Sequence, residues 1–277
     1  MILEHIGVVH VETPEYFNAV LGIIYISIIA AFLGTYVVSR HQVSLAGGVT
    51  HASFGGLGLG FFLGMNPLIP AAIFAVASAL GVDAMTRDKR VRADSAISVV
   101  WALGMTLGVV FVFLTPGYVP ELTIFLFGDV MEISDRMVHI TNFYTIFLVA
   151  FWFGANRELT AISFDPDFCR VKRMRVWLIN TMMTIFVAVG IVLIIKLVGV
   201  ALLMAVLTLP QMVAEKYTRS MNTMAMWSGI ICVVCALTAL WLSTIVHVPC
   251  SALIVGAQVA VFIIAYLVHY ISKRMKA

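Results

Sequence analysis

Long apolar stretches dominate the chain, and short polar connections separate them. A helix crosses the hydrocarbon core of a bilayer in about 20 apolar residues. Membrane barrel strands would instead show two-residue alternation over about ten residues, and these stretches do not. The pattern predicts an all-α polytopic integral membrane protein with about nine transmembrane helices. We place them near residues 20–38, 50–65, 68–86, 95–114, 137–155, 176–197, 199–215, 223–244 and 250–271.

One further apolar stretch, 116–133, is interrupted by prolines and glycines. Non-helical backbone at membrane depth needs protein or water to satisfy its polar groups. We therefore interpret this stretch as a re-entrant or interfacial segment on the outer side. The other connections are short except 156–175, so we expect residues 1–277 to form a single transmembrane domain.

The composition excludes several classes of protein. Of the 277 residues, 62% are hydrophobic and 11% are charged, whereas soluble domains carry about 25% charged residues. A soluble fold of this size cannot hide so much apolar surface. An ordinary soluble enzyme, a DNA-binding domain and a disordered chain are excluded, and no nucleic-acid partner is expected.

The basic residues set the orientation, because cytoplasmic loops carry an excess of Lys and Arg. With the N-terminus outside and the C-terminus in the cytoplasm, all of the 17 basic residues except Arg136 and Lys196 fall on the cytoplasmic side. An added or lost span would move a basic cluster to the wrong face. The charge pattern therefore favours an odd number of spans.

The second predicted span carries a stripe of small residues with one histidine beside it. The stripe recurs every four residues as Gly48, Ala52, Gly56, Gly60 and Gly64. Such a smooth helix face lets another backbone approach closely, which predicts helix packing. His51 lies on the neighbouring ridge, near the start of the predicted span. An ionisable residue within a span is a functional candidate, as a metal ligand or gate, and hydrogen bonding to a facing carbonyl is the alternative.

Two acidic positions add candidate chemistry. Asp94 lies where the fourth span begins, where it could cap the helix. Asp129 lies in the interrupted outer stretch, together with Glu121. The carboxylates of Glu121 and Asp129 could form an acidic vestibule for a cation on the outer side.

The longest inner loop, 156–175, contains a helix start. The Asp-Pro-Asp run at 165–167 places an acid at the N-cap and proline in the first turn. We expect an amphipathic helix that continues to Met174. Basic residues favour lipid binding, and a capped helix in the longest inner loop favours docking to a partner.

The familiar enzymatic motifs are absent from the sequence. It has no G-x-x-x-x-G-K-[ST] phosphate loop, no G-x-S-x-G and no H-E-x-x-H. We therefore expect no catalytic activity and no ATP hydrolysis by this chain. Transport is favoured by elimination.

Four segments in order resemble one known family. They are VSLAGGVTHASFGG (43–56), DSAISVVWALGM (94–105) followed by LFGD (126–129), AISFDPDFCRV (161–171) and KLVGVALLMAVLTLP (196–210). Together they resemble the permease subunit of bacterial metal-ion ABC importers of the ABC-3 type, which take up zinc, manganese or iron. The resemblance extends over nearly the whole chain.

The resemblance implies a set of partners. A second copy of the permease would form a homodimer, and a separate cytoplasmic ATPase would bind and hydrolyse ATP. An extracytoplasmic metal-binding protein would deliver the divalent ion. No cofactor would be bound tightly, and the chain would lie among the lipids of the bacterial inner membrane. The related permeases for siderophores or cobalamin and a secondary transporter are the alternatives.

The resemblance also assigns roles to residues. His51, Asp94 and Asp129 would line the metal path along the dimer interface, where the glycine stripe would let helices approach. The segment 161–175 would couple to the ATPase through Ala161, Ser163, Phe164, Asp165, Phe168, Arg170 and Val171. Many family members carry an acid one turn before the histidine, whereas this chain has Gly47. The missing carboxylate favours zinc or iron over manganese.

Overall fold

The computed structural model describes residues 14–86, 91–116, 128, 130–131, 133–172, 175–246 and 248–275. Within these ranges all regular structure is helical. The helices are α1 (Pro14–Ser39), α2 (Val43–Phe62), α3 (Leu68–Thr86), α4 (Ala93–Leu114), α5 (Asp135–Gly154), α6 (Asn156–Phe164), α7 (Pro166–Val171), α8 (Val176–Val198), α9 (Val200–Glu215), α10 (Met221–Val246) and α11 (Cys250–Met275).

The predicted class of fold is confirmed. Seven described helices are long and apolar enough to cross a membrane, namely α1, α3, α4, α5, α8, α10 and α11. Helix α2 has 20 residues and is rich in glycine, and α9 has 16 residues. These two helices correspond to the second and seventh predicted spans.

The second span was placed too late in the sequence. Helix α2 begins at Val43 rather than near residue 50, and it ends at Phe62. Gly64 lies beyond the helix with a φ of 64°, a conformation that favours glycine. The glycines lower the apolar signal without breaking the helix, because neighbouring helices pack directly on them.

Helices α2 and α4 run parallel and in close backbone contact. A Cβ atom at Gly48 would lie 2.5 Å from the Ile97 side chain, and one at Gly58 would lie 2.5 Å from the carbonyl oxygen of Gly108. A Cβ atom at Gly55 would lie 2.9 Å from the carbonyl oxygen of Gly104. Any larger residue would force the two helices apart.

Helix α3 packs antiparallel on another side of α2. A Cβ atom at Gly60 would lie 2.6 Å from Cα of Pro67, and one at Gly56 would lie 2.6 Å from Cα of Ala71. Helices α2, α3 and α4 therefore form one tightly packed unit.

Helices α1 and α8 are the most buried of the seven long apolar helices. Gly190 of α8 lies against Ile29 and Leu33 of α1. A single residue, Gly199, separates α8 from α9, with a φ of 83°. This conformation is strained for residues with a Cβ atom, so glycine permits the sharp turn between the two spans.

We expect Gly58→Ala to destabilise the protein, because its methyl group would collide with the backbone of α4. Overpacking of this kind costs about 1–3 kcal/mol. The matched control is Gly81→Ala in α3, where nothing lies within 4 Å of the new Cβ atom. The measurement is the temperature at which each purified variant loses its monodisperse size-exclusion peak. Equal temperatures for both variants would contradict the packing described.

Candidate metal path and cytoplasmic docking segment

His51 lies well inside α2, about two turns after Val43, and not near the start of the span as predicted. Its imidazole stacks on the indole of Trp101 in α4, with 4.4 Å between ring centroids and 8° between ring planes. His51 is half-buried and Trp101 is exposed. The pair therefore lies at the exposed edge of the unit that α2, α3 and α4 form.

The alternative predicted for His51, a hydrogen bond to a facing carbonyl, is not observed among the described residues. No hydrogen bond joins its imidazole to a facing carbonyl or to any other described group. The stack on Trp101 is the specific side-chain contact that orients the ring.

Helix α9 packs on α2 one turn before this histidine. A Cβ atom at Gly47 would lie 3.4 Å from both Sδ and Cε of Met204 in α9. This is ordinary van der Waals contact, so a methionine side chain lies next to the position where the family resemblance led us to expect a carboxylate.

Asp94 is exposed in the first turn of α4, but it is not the cap. The N-cap residue is Arg92, and no side chain makes a capping hydrogen bond there. Seven residues separate Asp94 from Trp101, which is about 10 Å along a helix. Asp94 and His51 therefore do not share one coordination sphere in this chain.

The remaining acidic candidate is not described. Asp129 and Glu121 lie outside the described residues, so the predicted outer vestibule stays a prediction. Within the described ranges no group of three or more His, Cys, Asp or Glu residues could hold a metal ion.

The glycine stripe does not lie where the dimer interface was expected. Gly48 faces Ile97, while Gly56 and Gly60 face the start of α3. Because these positions are already covered within the chain, they are not free to meet a second copy. Gly64 lies outside the helix, and nothing is within 4 Å of its Cβ position.

The loop predicted to lie on the inner side, 156–175, contains two short helices where one was predicted. Helix α6 was not expected, and α7 ends at Val171 rather than at Met174. The predicted helix start is correct, because the Asp165 carboxylate accepts a hydrogen bond of 2.9 Å from the backbone N–H of Phe168. Arg170 lies in α7 as predicted.

One face of the segment is anchored to the transmembrane helices. Ile162, Cys169 and Val176 are buried together, and Ala161 packs against them. The Arg40 guanidinium, just after α1, donates a 2.6 Å hydrogen bond to the carbonyl oxygen of Ile162. The segment is therefore fixed to the ends of α1 and α8.

The opposite face is apolar and exposed. Phe164 is 76% exposed, Phe168 is 51% exposed and Val171 is 83% exposed. Ser163 donates to the carbonyl oxygen of Leu159, and it lines a cleft of about 460 Å³ that Phe164, His41 and Arg219 also line. Three exposed apolar side chains beside a polar cleft are typical of a protein docking surface.

The model of the ABC 3 transport family matches residues 13–269 of this sequence. The chain therefore belongs to the ABC 3 transport family, as the four sequence segments indicated. It is an integral membrane protein.

Three comparisons illustrate its relatives. An uncharacterised membrane protein of Synechocystis sp. is 30% identical over 258 residues, which cover 93% of this chain and 90% of that protein. The manganese transport system membrane protein MntC of Listeria innocua is 24% identical over 250 residues, and the matched region covers 90% of this chain and 89% of that protein. The structure of PsaBC from Streptococcus pneumoniae in complex with Fab matches with a TM-score of 0.84 at 22% identity, over 96% of this chain and 95% of that one. The likeness to the PsaBC structure shows a shared fold.

Sequence analysis missed Trp101, the residue that stacks on His51. Tryptophan is an ordinary residue in an apolar membrane helix. The helical period predicts that Trp101 lies on α4, but it does not indicate which face of α4 meets α2. The close approach of the two helices at their glycines determines this contact.

We expect Val171→Cys to react rapidly with a maleimide, because Val171 is exposed. The matched variant, Ile162→Cys, should remain unlabelled in the folded protein, since Ile162 is 1% exposed. The four native cysteines are buried and give a low background. Labelling is measured by mass spectrometry of the purified protein, and equal labelling of the two variants would refute this assignment of faces.

Proposed function

We propose that the chain is the permease subunit of an ATP-driven importer of divalent metal ions, with zinc as the first candidate cargo and iron or manganese next. Membership of the ABC 3 transport family supports transport coupled to ATP. The names of relatives, such as the manganese transport protein of Listeria innocua, support a metal ion as cargo. The absence of an acid at Gly47 favours an ion that is less dependent on carboxylates than manganese.

The exposed apolar face of α6 and α7 carries the proposal. A separate cytoplasmic ATPase would dock on Phe164, Phe168 and Val171, while buried Cys169 holds the segment to the membrane helices. Movement of the ATPase would then reach α1 and α8 through Arg40 and Val176. Docking explains the exposure of these side chains better than lipid binding, because Asp165 caps the helix and orders it.

The ion path would run along an interface with a second permease copy. His51 and Trp101 lie at the exposed edge of the unit formed by α2, α3 and α4, and α4 has a largely exposed face beside them. A path between two copies would place this edge in a protein-lined channel. Binding there must be weak enough for release, so we expect no tight four-ligand site.

The positions of the basic residues support the orientation. The N-terminus would lie outside the bacterial inner membrane, and the C-terminus and α6–α7 would lie in the cytoplasm. An extracytoplasmic metal-binding protein would deliver the ion to the outer ends of the helices.

The test is uptake of radioactive zinc, with manganese and iron in parallel, in metal-starved cells that express the chain with its partners. We expect His51→Ala to reduce uptake about tenfold or more, the factor that corresponds to about 1.4 kcal/mol of lost binding. The double variant Phe168→Asp and Val171→Asp should reduce uptake to background, since central interface residues contribute about 2 kcal/mol or more each.

The matched control is Phe168→Leu with Val171→Ile, which keeps the face apolar and should retain uptake. Membrane abundance of every variant is measured by immunoblotting. Absence of ATP-dependent uptake of any free metal by the wild type would reject the proposal and redirect attention to metal chelates or a proton-driven mechanism.

A further inference from the structure

A small cavity lies inside the helix bundle, where α1, α9, α10 and α11 meet. Its volume is about 20 Å³. Most of its lining is apolar, but one residue from each of the four helices brings a polar group to it, namely Ser27, Val206, Cys232 and Gln258. All four residues are buried. Because a single water molecule needs about 10–15 Å³, the cavity has room for one water.

Gln258 of α11 brings an unsatisfied amide to this cavity. The residue is 1% exposed, and its Oε1 atom has no hydrogen-bond partner among the described residues. Its Nε2 atom lies 4.0 Å from the sulfur of Cys232 in α10, and a thiol sulfur is a weak acceptor. A polar atom without a partner is costly inside a membrane bundle, because no bulk water reaches it.

Pro210 leaves a second acceptor unsatisfied. Proline has no N–H group, so the carbonyl oxygen of Val206, four residues earlier in α9, lacks its usual helical partner. The Cys232 sulfur lies 4.0 Å from this oxygen, and a thiol is a weak donor. The two acceptors therefore belong to residues that line one cavity, and the same cysteine lies beside both residues.

We propose that the cavity binds one water molecule, which joins α9 to α11. The water donates one hydrogen bond to Oε1 of Gln258 and the other to the carbonyl oxygen of Val206, and it accepts one from the Ser27 hydroxyl of α1. Buried waters make about three hydrogen bonds on average, which is the number that these groups supply. The inference concerns the helix bundle itself and does not depend on the cargo of the proposed transporter.

The same groups do not suit a metal cation. Their three oxygen atoms are neutral, whereas calcium and magnesium take about six or more oxygen ligands, usually with carboxylates among them. The cavity has no room for the further waters that would complete such a shell. A neutral molecule with two donors and one or two acceptor sites fits the lining better.

The first experiment is a structure of the purified protein at a resolution that shows ordered water elsewhere in the bundle. We expect one density peak in the cavity, about 2.7–2.8 Å from Oε1 of Gln258. The peak should be lost in Gln258→Leu, which removes the amide. An empty cavity in the wild-type map would overturn the proposal.

The second experiment fills the cavity. Val198 lines it from the end of α8, and Val198→Ile adds one methylene group. Displacing a bound water leaves its partners unsatisfied and destabilises the fold, whereas filling a dry cavity stabilises it. We expect the thermal midpoint to fall by about 2–4 °C in the wild-type background. In the Gln258→Leu background the midpoint should stay level or rise, because the amide is no longer there to lose its partner.

Val187→Ile is the matched control. Val187 lies on the same helix, is also buried and is not among the residues that line the cavity. It measures overpacking alone, so its effect should be equal in the two backgrounds. If Val198→Ile also has equal effects in both backgrounds, or if it raises the wild-type midpoint, the cavity is dry and the proposal fails. A wild-type midpoint that depends on Na⁺ or Zn²⁺, with no such dependence in Gln258→Leu, would identify a cation in place of the water.

Discussion

Backbone-to-backbone packing of α2 against its neighbours is the constraint on which the candidate site depends. A membrane offers no hydrophobic driving force between helices, so close van der Waals contact has to hold them together. Gly55 and Gly58 meet backbone atoms of Gly104 and Gly108, and Gly60 meets Pro67. This approach places the His51 and Trp101 rings within stacking distance. A bulkier α2 would therefore separate the two rings.

Side-chain contacts also link the membrane helices to α6 and α7. Arg40 reaches from the end of α1 to the carbonyl oxygen of Ile162, and Val176 at the start of α8 packs on Cys169. Helices α1 and α8 pack on each other through Gly190. Helices α6 and α7 are therefore in contact with two central helices at once, while Phe168 and Val171 remain exposed.

The sequence was sufficient for the class of fold and for most of the spans, because hydropathy reports directly which segments suit a bilayer. It also located the start of α7, since Asp165 followed by proline is a local signal that needs no tertiary contact. It placed the start of α2 too late, and it did not indicate that the glycine stripe packs against α3 and α4 of the same chain. Hydropathy is weak in a glycine-rich helix, and a smooth face does not reveal which neighbour covers it. Trp101 was missed for the same reason.

The candidate residues of the path differ in how far the chain itself positions them. The stack on Trp101 orients the His51 imidazole, whereas Asp94 is exposed in the first turn of α4, about 10 Å along that helix from Trp101. Position 47 carries no ligand atom, and a Cβ atom there would make ordinary contact with Met204 of α9. A single imidazole holds a divalent cation weakly, and weak binding is what conduction through a membrane requires. One oriented histidine therefore fits a transport path better than it fits a tight storage site.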